Sequence, residues 1–229
     1  MGAPDDRLRL AASFVREGAV FADIGTDHAY LPIYLLERGR IKRAICADIG
    51  EGPLARAREN LAASGWLGHA RTVKTDGLCG LDREGLTDIA ICGMGGELIV
   101  RILEAAPFVR DPSVQLILQP MSRAAVLRRY LAENGFAVRE ERLARAAGRV
   151  YSCLSVFYGG VRREIDECEA EVGRPACDTE EQRVLFAALL ARKLASLEKK
   201  KTALLQGGHT DFPEASLLEA LSKLREGIR

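Results

Sequence analysis

Between residues 20 and 157 the chain alternates short apolar or β-branched runs with amphipathic stretches, and no other feature restricts its fold as much. That alternation is the signature of βαβ units, and hence of a parallel sheet covered by helices. The spacing predicts an opening helix over 7–15, strands over 20–24 and 43–48, and helices over 31–38 and 53–64. Further strands fall over 70–74, 88–92 and 115–118, with helices over 98–104 and 124–134. Two late strands, 137–143 and 151–157, lie close enough along the chain to pair antiparallel at the sheet edge. The fold class is therefore α/β, a doubly wound Rossmann-like sheet.

The pattern changes after Gly159–Gly160, where strands disappear and charged helix follows. Ala187, Leu190, Leu194, Leu197 and Leu204 trace a heptad seam interrupted by Lys201, and Leu217, Leu221, Leu224 and Ile228 repeat it. Gly and Pro turn signals between Gly207 and Pro213 let the two helices fold back on each other. The chain thus reads as a core domain over 1–159 and a helical coiled-coil hairpin over 160–229. With 48% hydrophobic and 28% charged residues, it has the composition of a globular protein. No apolar run approaches the roughly 20 residues of a membrane span, and Met1 to Arg9 lack the order of a secretory signal, so a cytoplasmic protein without a membrane partner is expected. Six cysteines fit that compartment if reduced, since Cys46, Cys92 and Cys153 fall inside strand-like runs. No CxxC pair exists, so no metal is expected. A formal charge of +1 neither announces nor excludes nucleic acid, and the oligomeric state stays open with a monomer favoured.

The chemistry concentrates at the strand ends. Asp23-Ile24-Gly25-Thr26-Asp27 stands where the first strand turns into a helix, and ligands of such sheets bind at the carboxyl ends of the strands. A dinucleotide asks for G-x-G-x-x-G, but Asp27 occupies the place of the second glycine and would repel phosphate. NAD is disfavoured. Asp23 and Asp27 instead suit a cationic head, and S-adenosylmethionine carries both an ammonium and a sulfonium. Asp48 ends the second strand, where its carboxylate can accept from both hydroxyls of a ribose. After the third strand, Asp76 can accept from an adenine amino group while Gly77 permits close approach. The fourth strand yields Cys92-Gly93-Met94-Gly95-Gly96, whose glycines imply another molecule or chain passing near the backbone. The fifth ends in Gln119-Pro120-Met121.

Asp23-Ile24-Gly25-Thr26-Asp27-His28-Ala29-Tyr30-Leu31-Pro32, Gly93-Met94-Gly95-Gly96 and Ile117-Leu118-Gln119-Pro120 together resemble the signature blocks of the bacterial tRNA adenine-22 N1 methyltransferase family, TrmK. The resemblance extends over essentially the whole chain, through Gly52-Pro53, Asp76-Gly77-Leu78 and the helical hairpin. It implies a class I methyltransferase fold with a small C-terminal hairpin domain, S-adenosyl-L-methionine as donor, and tRNA as substrate. It also implies donor contacts at Asp23, Gly25, Asp27, His28, Asp48, Ile49, Asp76, Gly77 and Gly93. Asp27, Gly93 and Gln119 form the implied catalytic set, with Tyr30 on the substrate side. The chain departs from the family pattern at Ser152, where an acidic residue is expected after Tyr151, and in its short C-terminal domain.

Plainer readings stay open for several of these residues. Asp27 is equally placed to cap the following helix, and His28 to be a structural hydrogen-bond partner. Asp23 and Gly25 could merely shape a turn, and Gly93 to Gly96 could be a tight turn of their own. Arg123, Arg128, Arg129, Arg139, Arg142, Arg145 and Arg149, opposed by Glu133, Glu140 and Glu141, form either a phosphate-binding face or a solvated one. Lys199-Lys200-Lys201 poses the same choice. A small-molecule methyltransferase would need neither hairpin nor basic face. A non-catalytic RNA-binding protein would have no use for four donor-shaped strand ends.

Overall fold

The computed structural model describes residues 4–207 and 209–228, so Gly208 of the expected turn lies outside the described residues. Seven strands form one sheet: β1 Ala19–Ile24, β2 Ile41–Asp48, β3 Ala70–Lys74, β4 Asp88–Gly95, β5 Gln115–Ser122, β6 Phe136–Ala146 and β7 Arg149–Tyr158. Their spatial order is β3-β2-β1-β4-β5-β7-β6. β7 runs antiparallel to both its neighbours, whereas β3, β2, β1, β4 and β5 are parallel. Helices α1 Asp6–Phe14, α2 Tyr30–Glu37, α3 Glu51–Ala63, α4 Gly96–Glu104 and α5 Ala124–Glu133 cover the sheet. Side chains alternate along each strand, so Ile24, Ile89, Ile91, Leu116 and Leu118 pack on one face with Ile99 and Leu127 of α4 and α5. Phe21, Ala90 and Ile117 turn to the other face, onto Ala11, Leu31 and Leu35 of α1 and α2. Burial on both faces is why these strands read as continuous apolar runs. The direction of strand succession reverses between β1 and β4, which opens a crevice at the carboxyl edge of the sheet.

The β6–β7 ribbon is longer than the spacing indicates, because Ala146 pairs with Arg149 across a two-residue turn. Ala147 and Gly148 both have positive φ, as a type I′ turn requires. After β7 come α6 Glu167–Val172, α7 Glu180–Gln206 and α8 Ala215–Gly227. α6 has no counterpart among the elements expected from the sequence. Leu190, Leu194 and Leu197 of α7 pack with Leu217 and Leu221 of α8, as the seam indicates. The same cluster takes in Leu185 and Phe186, outside the seam, together with Leu143 of β6 and Val172 of α6. The seam is therefore shared between hairpin and sheet, and is not satisfied by the hairpin alone. Gln182 of α7 brackets Leu143, accepting from its N–H and donating to its C=O, each at 2.9 Å. This covers the edge strand β6 at mid-length.

The basic face expected between Arg123 and Arg149 is largely dismantled by internal pairing. Arg128 is buried and donates to Glu141 Oε1 at 2.6 Å, Ser152 Oγ at 2.9 Å and the Ala170 carbonyl at 2.9 Å. Ser152 therefore serves Arg128 with a neutral acceptor, at the position where the resemblance leads to the expectation of an acid. Arg129 pairs with Glu167, Arg142 with Glu140 and Asp178, and Arg139 lies over the Phe157 ring. Arg145 and Arg149 have no ion-pair partner among the described residues, and Arg123 has only Glu97 at 3.7 Å. In the hairpin, Lys193 pairs with Glu171 and Lys200 with Glu214.

Candidate active site

β1 delivers Asp23 to the crevice with only 7% of its surface exposed. Its pKa rises from 3.8 to about 6: burial is the main cause, the Thr26 hydroxyl opposes it, and the charge of Asp48 adds to it. The turn after β1 is tied to β2, because the N–H groups of Gly25 and Thr26 both donate to the Ala47 carbonyl, at 2.8 and 3.0 Å. Gly25 has φ +78°, and a Cβ there would meet the methyl of Met94 from the end of β4. The Met94 side chain can move aside, so it is the left-handed backbone that favours glycine here.

Asp27 is not a helix cap. α2 begins after Ala29, which has φ +53° and offers no side-chain cap. Asp27 is exposed and is instead gripped by Arg56 of α3, whose Nε donates at 2.9 Å, with His28 Nε2 3.4 Å away. The His28 ring stacks on Tyr30 at 4.9 Å, and Asn60 Nδ2 donates to the His28 carbonyl at 3.0 Å. Asp27, His28 and Tyr30 thus form one wall beside β1, fixed by two residues of α3.

At the end of β2, Asp48 Oδ1 accepts from Gly50 N–H at 2.7 Å, which orients the carboxylate and leaves its other oxygen for a ligand. The next side chain, Ile49, is 65% exposed, an apolar surface at the mouth of the crevice. Asp76 is exposed beyond β3. Gly77 has φ +57°, and a Cβ there would press on Ile102 of α4, so packing accounts for this glycine. The glycines after Cys92 divide by role. Gly93 has φ +81° with nothing near its Cβ direction, whereas a Cβ on Gly96 would collide with the Arg123 carbonyl. The close approach at Gly96 is the β5–α5 connection of the chain itself; Gly93 faces open space.

Gln119 is buried and holds this loop to the sheet. Its Oε1 accepts from Gly93 N–H at 3.1 Å and from Arg7 Nη1 at 2.6 Å, and its Nε2 donates to the Pro120 carbonyl at 3.1 Å. Arg7 of α1 is the residue that sequence reasoning missed. It is fixed in turn by Asp5 at 2.8 Å and lies 5.6 Å from the Tyr151 ring centroid. The structure therefore brings Asp23, Gly25, Asp48 and Gly93 to the carboxyl edge of the sheet, with Gln119 of β5 tied to Gly93; Asp27 and His28 are held there by α3, and Ile49 and Asp76 follow the ends of β2 and β3.

Residues 5–154 match the methyltransferase domain family. The chain belongs to that family. Within it, the chain falls in the TrmK group. It is 36% identical over 148 residues to the tRNA (adenine(22)-N(1))-methyltransferase of Bacillus subtilis, a match covering 65% of this chain and 62% of that relative. A Streptococcus pneumoniae protein proposed as a tRNA (m1A22) methyltransferase, solved with S-adenosyl-L-methionine, is 33% identical with a TM-score of 0.77, covering 97% of each chain. The B. subtilis m1A22 tRNA methyltransferase TrmK superposes with a TM-score of 0.74 at 27% identity, covering 98% of this chain and 97% of that one. Among the described residues of this TrmK-group chain, no helix is long and apolar enough to cross a membrane.

Proposed function

We propose that the chain transfers the methyl group of S-adenosyl-L-methionine to N1 of an adenine in tRNA, at position 22 as in the relatives named for that site. The observation that carries this reading is the convergence of buried Asp23, half-buried Asp48, exposed Ile49 and open Gly93 at the switch point of a methyltransferase-domain sheet. A cationic nucleoside fits this donor set. Asp23 would meet its ammonium, the free oxygen of Asp48 its ribose hydroxyls, Ile49 a face of its adenine, and Asp76 its amino group. Gly25 keeps the β1 turn low enough for close approach, and Gly77 lets the β3 loop seat against α4.

When bound, S-adenosyl-L-methionine supplies a methyl group already activated on a sulfonium sulfur. The chain's own task is alignment and exclusion of water. N1 of a paired adenine is hidden, so the base has to be everted at about a few kcal/mol, offset by contacts elsewhere on the RNA. Gln119 fixes the Gly93 backbone as one wall of the substrate pocket, with Arg7 holding the amide in place. Asp27 faces the substrate side, one oxygen bound by Arg56. It accepts from the exocyclic amino group and offsets the positive charge that develops on the ring. Residues 1–159 act as the catalytic domain and 160–229 as a hairpin domain that contacts tRNA. The enzyme works in the cytoplasm, as a monomer and without a metal. Incubation with donor and unmodified tRNA, followed by nucleoside digestion and mass spectrometry, should yield 1-methyladenosine. A tRNA with guanine at position 22 should yield none, and equal yields from both would reject the site.

A further inference from the structure

A second cleft, of about 150 Å³, opens one residue beyond Gln119. The end of β5 from Pro120 to Ser122, with Arg123 after it, forms one wall, Arg149 and Tyr151 of β7 another, and Arg192 of α7 a third. Four arginines line it; Arg128 is committed to Glu141, and Arg123, Arg149 and Arg192 reach it from three separate parts of the fold. Many arginines of this chain are committed to carboxylates, among them Arg7, Arg16, Arg56, Arg128, Arg142 and Arg163. Arg149 and Arg192 have no such partner among the described residues, and Arg123 has only the 3.7 Å approach to exposed Glu97. Glu171, the one acid in the cleft wall, is already neutralised by Lys193 at 2.5 Å. The cleft is thus a concentration of uncompensated positive charge beside the candidate active site.

Its backbone adds to that charge. α5 starts after Arg123, which sits at φ +54° with no side-chain cap; Val126 N–H donates to the Arg123 carbonyl at 3.1 Å, while the amides of Ala124 and Ala125 have no partner among the described residues. A left-handed conformation is unfavourable for a non-glycine residue and persists only where its surroundings impose it. Here Gly96, packed on the Arg123 carbonyl, does so.

We infer that this cleft binds a phosphodiester of the RNA strand flanking the everted adenosine, held by Arg123, Arg149 and Arg192 and by the start of α5. The inference rests on the tRNA reading above and deepens it. Planar guanidinium forks suit phosphate oxygens, and the unpaired state of these side chains means that no internal ion pair has to be broken first. Because Arg192 belongs to the hairpin and Arg149 to the sheet, one phosphate would bridge the two.

The test uses the full chain carrying Arg149→Ala, Arg192→Ala or both, with Arg43→Ala at the opposite edge of the sheet as control. Binding of unmodified tRNA is followed by fluorescence anisotropy at several salt concentrations, and donor affinity and thermal melting are measured on each protein. Each single variant should weaken tRNA binding roughly tenfold and flatten the log–log salt slope by about 0.7–0.9. The double variant should flatten it no further, since both side chains serve one phosphate, and donor affinity should be unchanged. Salt slopes equal to that of the control would overturn the assignment while 1-methyladenosine formation by the wild type left the tRNA reading standing. A double variant with twice the loss of slope would mean two separate phosphates and would overturn the shared site. Absence of tRNA methylation by the wild type would remove both readings together.

Discussion

Asp23 places a carboxylate at the buried end of a strand, where its charge is poorly solvated. Burial moves its pKa from 3.8 to about 6, so the folded protein holds that proton more tightly than the unfolded chain does. Below about pH 4 both states are protonated and the group makes no difference to stability. Between roughly pH 4 and 6 the unfolded chain ionises first and stability falls; above that the loss is complete, about 3 kcal/mol for a shift of this size. Asp23→Asn keeps the shape and removes the charge. Without donor, it should melt at a higher temperature than the wild type near pH 7.5 and at the same temperature well below pH 3.8. A difference independent of pH would mean that the asparagine changes packing and not charge. The residual instability of the ionised form is what a cationic ligand relieves. Donor binding by the wild type, measured by calorimetry, should accordingly tighten as pH rises through about 6, whereas a flat profile would show that no cation meets Asp23.

Among elements, the sheet and its covering helices were legible because their signals are local: apolar runs of strand length, with Asp or Gly where each ends. The acidic strand ends Asp23 and Asp48 could be read for the same reason. α6 could not, since its six residues, Glu-Cys-Glu-Ala-Glu-Val, carry almost no apolar period and its placement depends on burying Ala170 and Val172. Arg7 was invisible because its partner Gln119 lies 112 positions away. Arg128 reads as surface because the sequence counts charges without showing that Glu141 reaches it from another element. Asp27 reads as a cap because nothing local announces that Ala29 takes a left-handed conformation and starts α2 two residues later. The junction of α7 with β6 likewise adds to its apolar packing the two hydrogen bonds of one amide, that of Gln182. Gln182→Ala leaves the buried N–H and C=O of Leu143 without partners, a loss on the order of 3 kcal/mol. Urea unfolding should show that loss, and amide exchange at Leu143 should accelerate, with donor affinity unchanged. Slow exchange at Leu143 in the variant would mean that the edge of β6 is protected by something other than this side chain.

At the scale of the whole molecule, the sheet and the helices beyond it depend on each other unequally. Residues 5–154 match the methyltransferase domain family, every strand of the sheet ends by Tyr158, and all the residues proposed for the donor site lie before α6. The packing nevertheless crosses that point. Removing everything after Gly160 uncovers Leu143 and Val150, strips Gln182 from the edge of β6, and takes the Ala170 carbonyl from buried Arg128. It also removes Arg192 from the basic cleft. A chain ending at Gly160 should therefore melt several degrees lower and associate through its bared β6 edge. Its donor affinity should match that of the full chain, since Asp23, Asp48 and Gly93 are untouched, while tRNA methylation should become far slower. Calorimetry with donor, sedimentation and the 1-methyladenosine assay separate these effects. Full-rate methylation by the shortened chain would show that the hairpin does not hold tRNA, and loss of donor binding in a folded shortened chain would show that the catalytic domain does not end at 159.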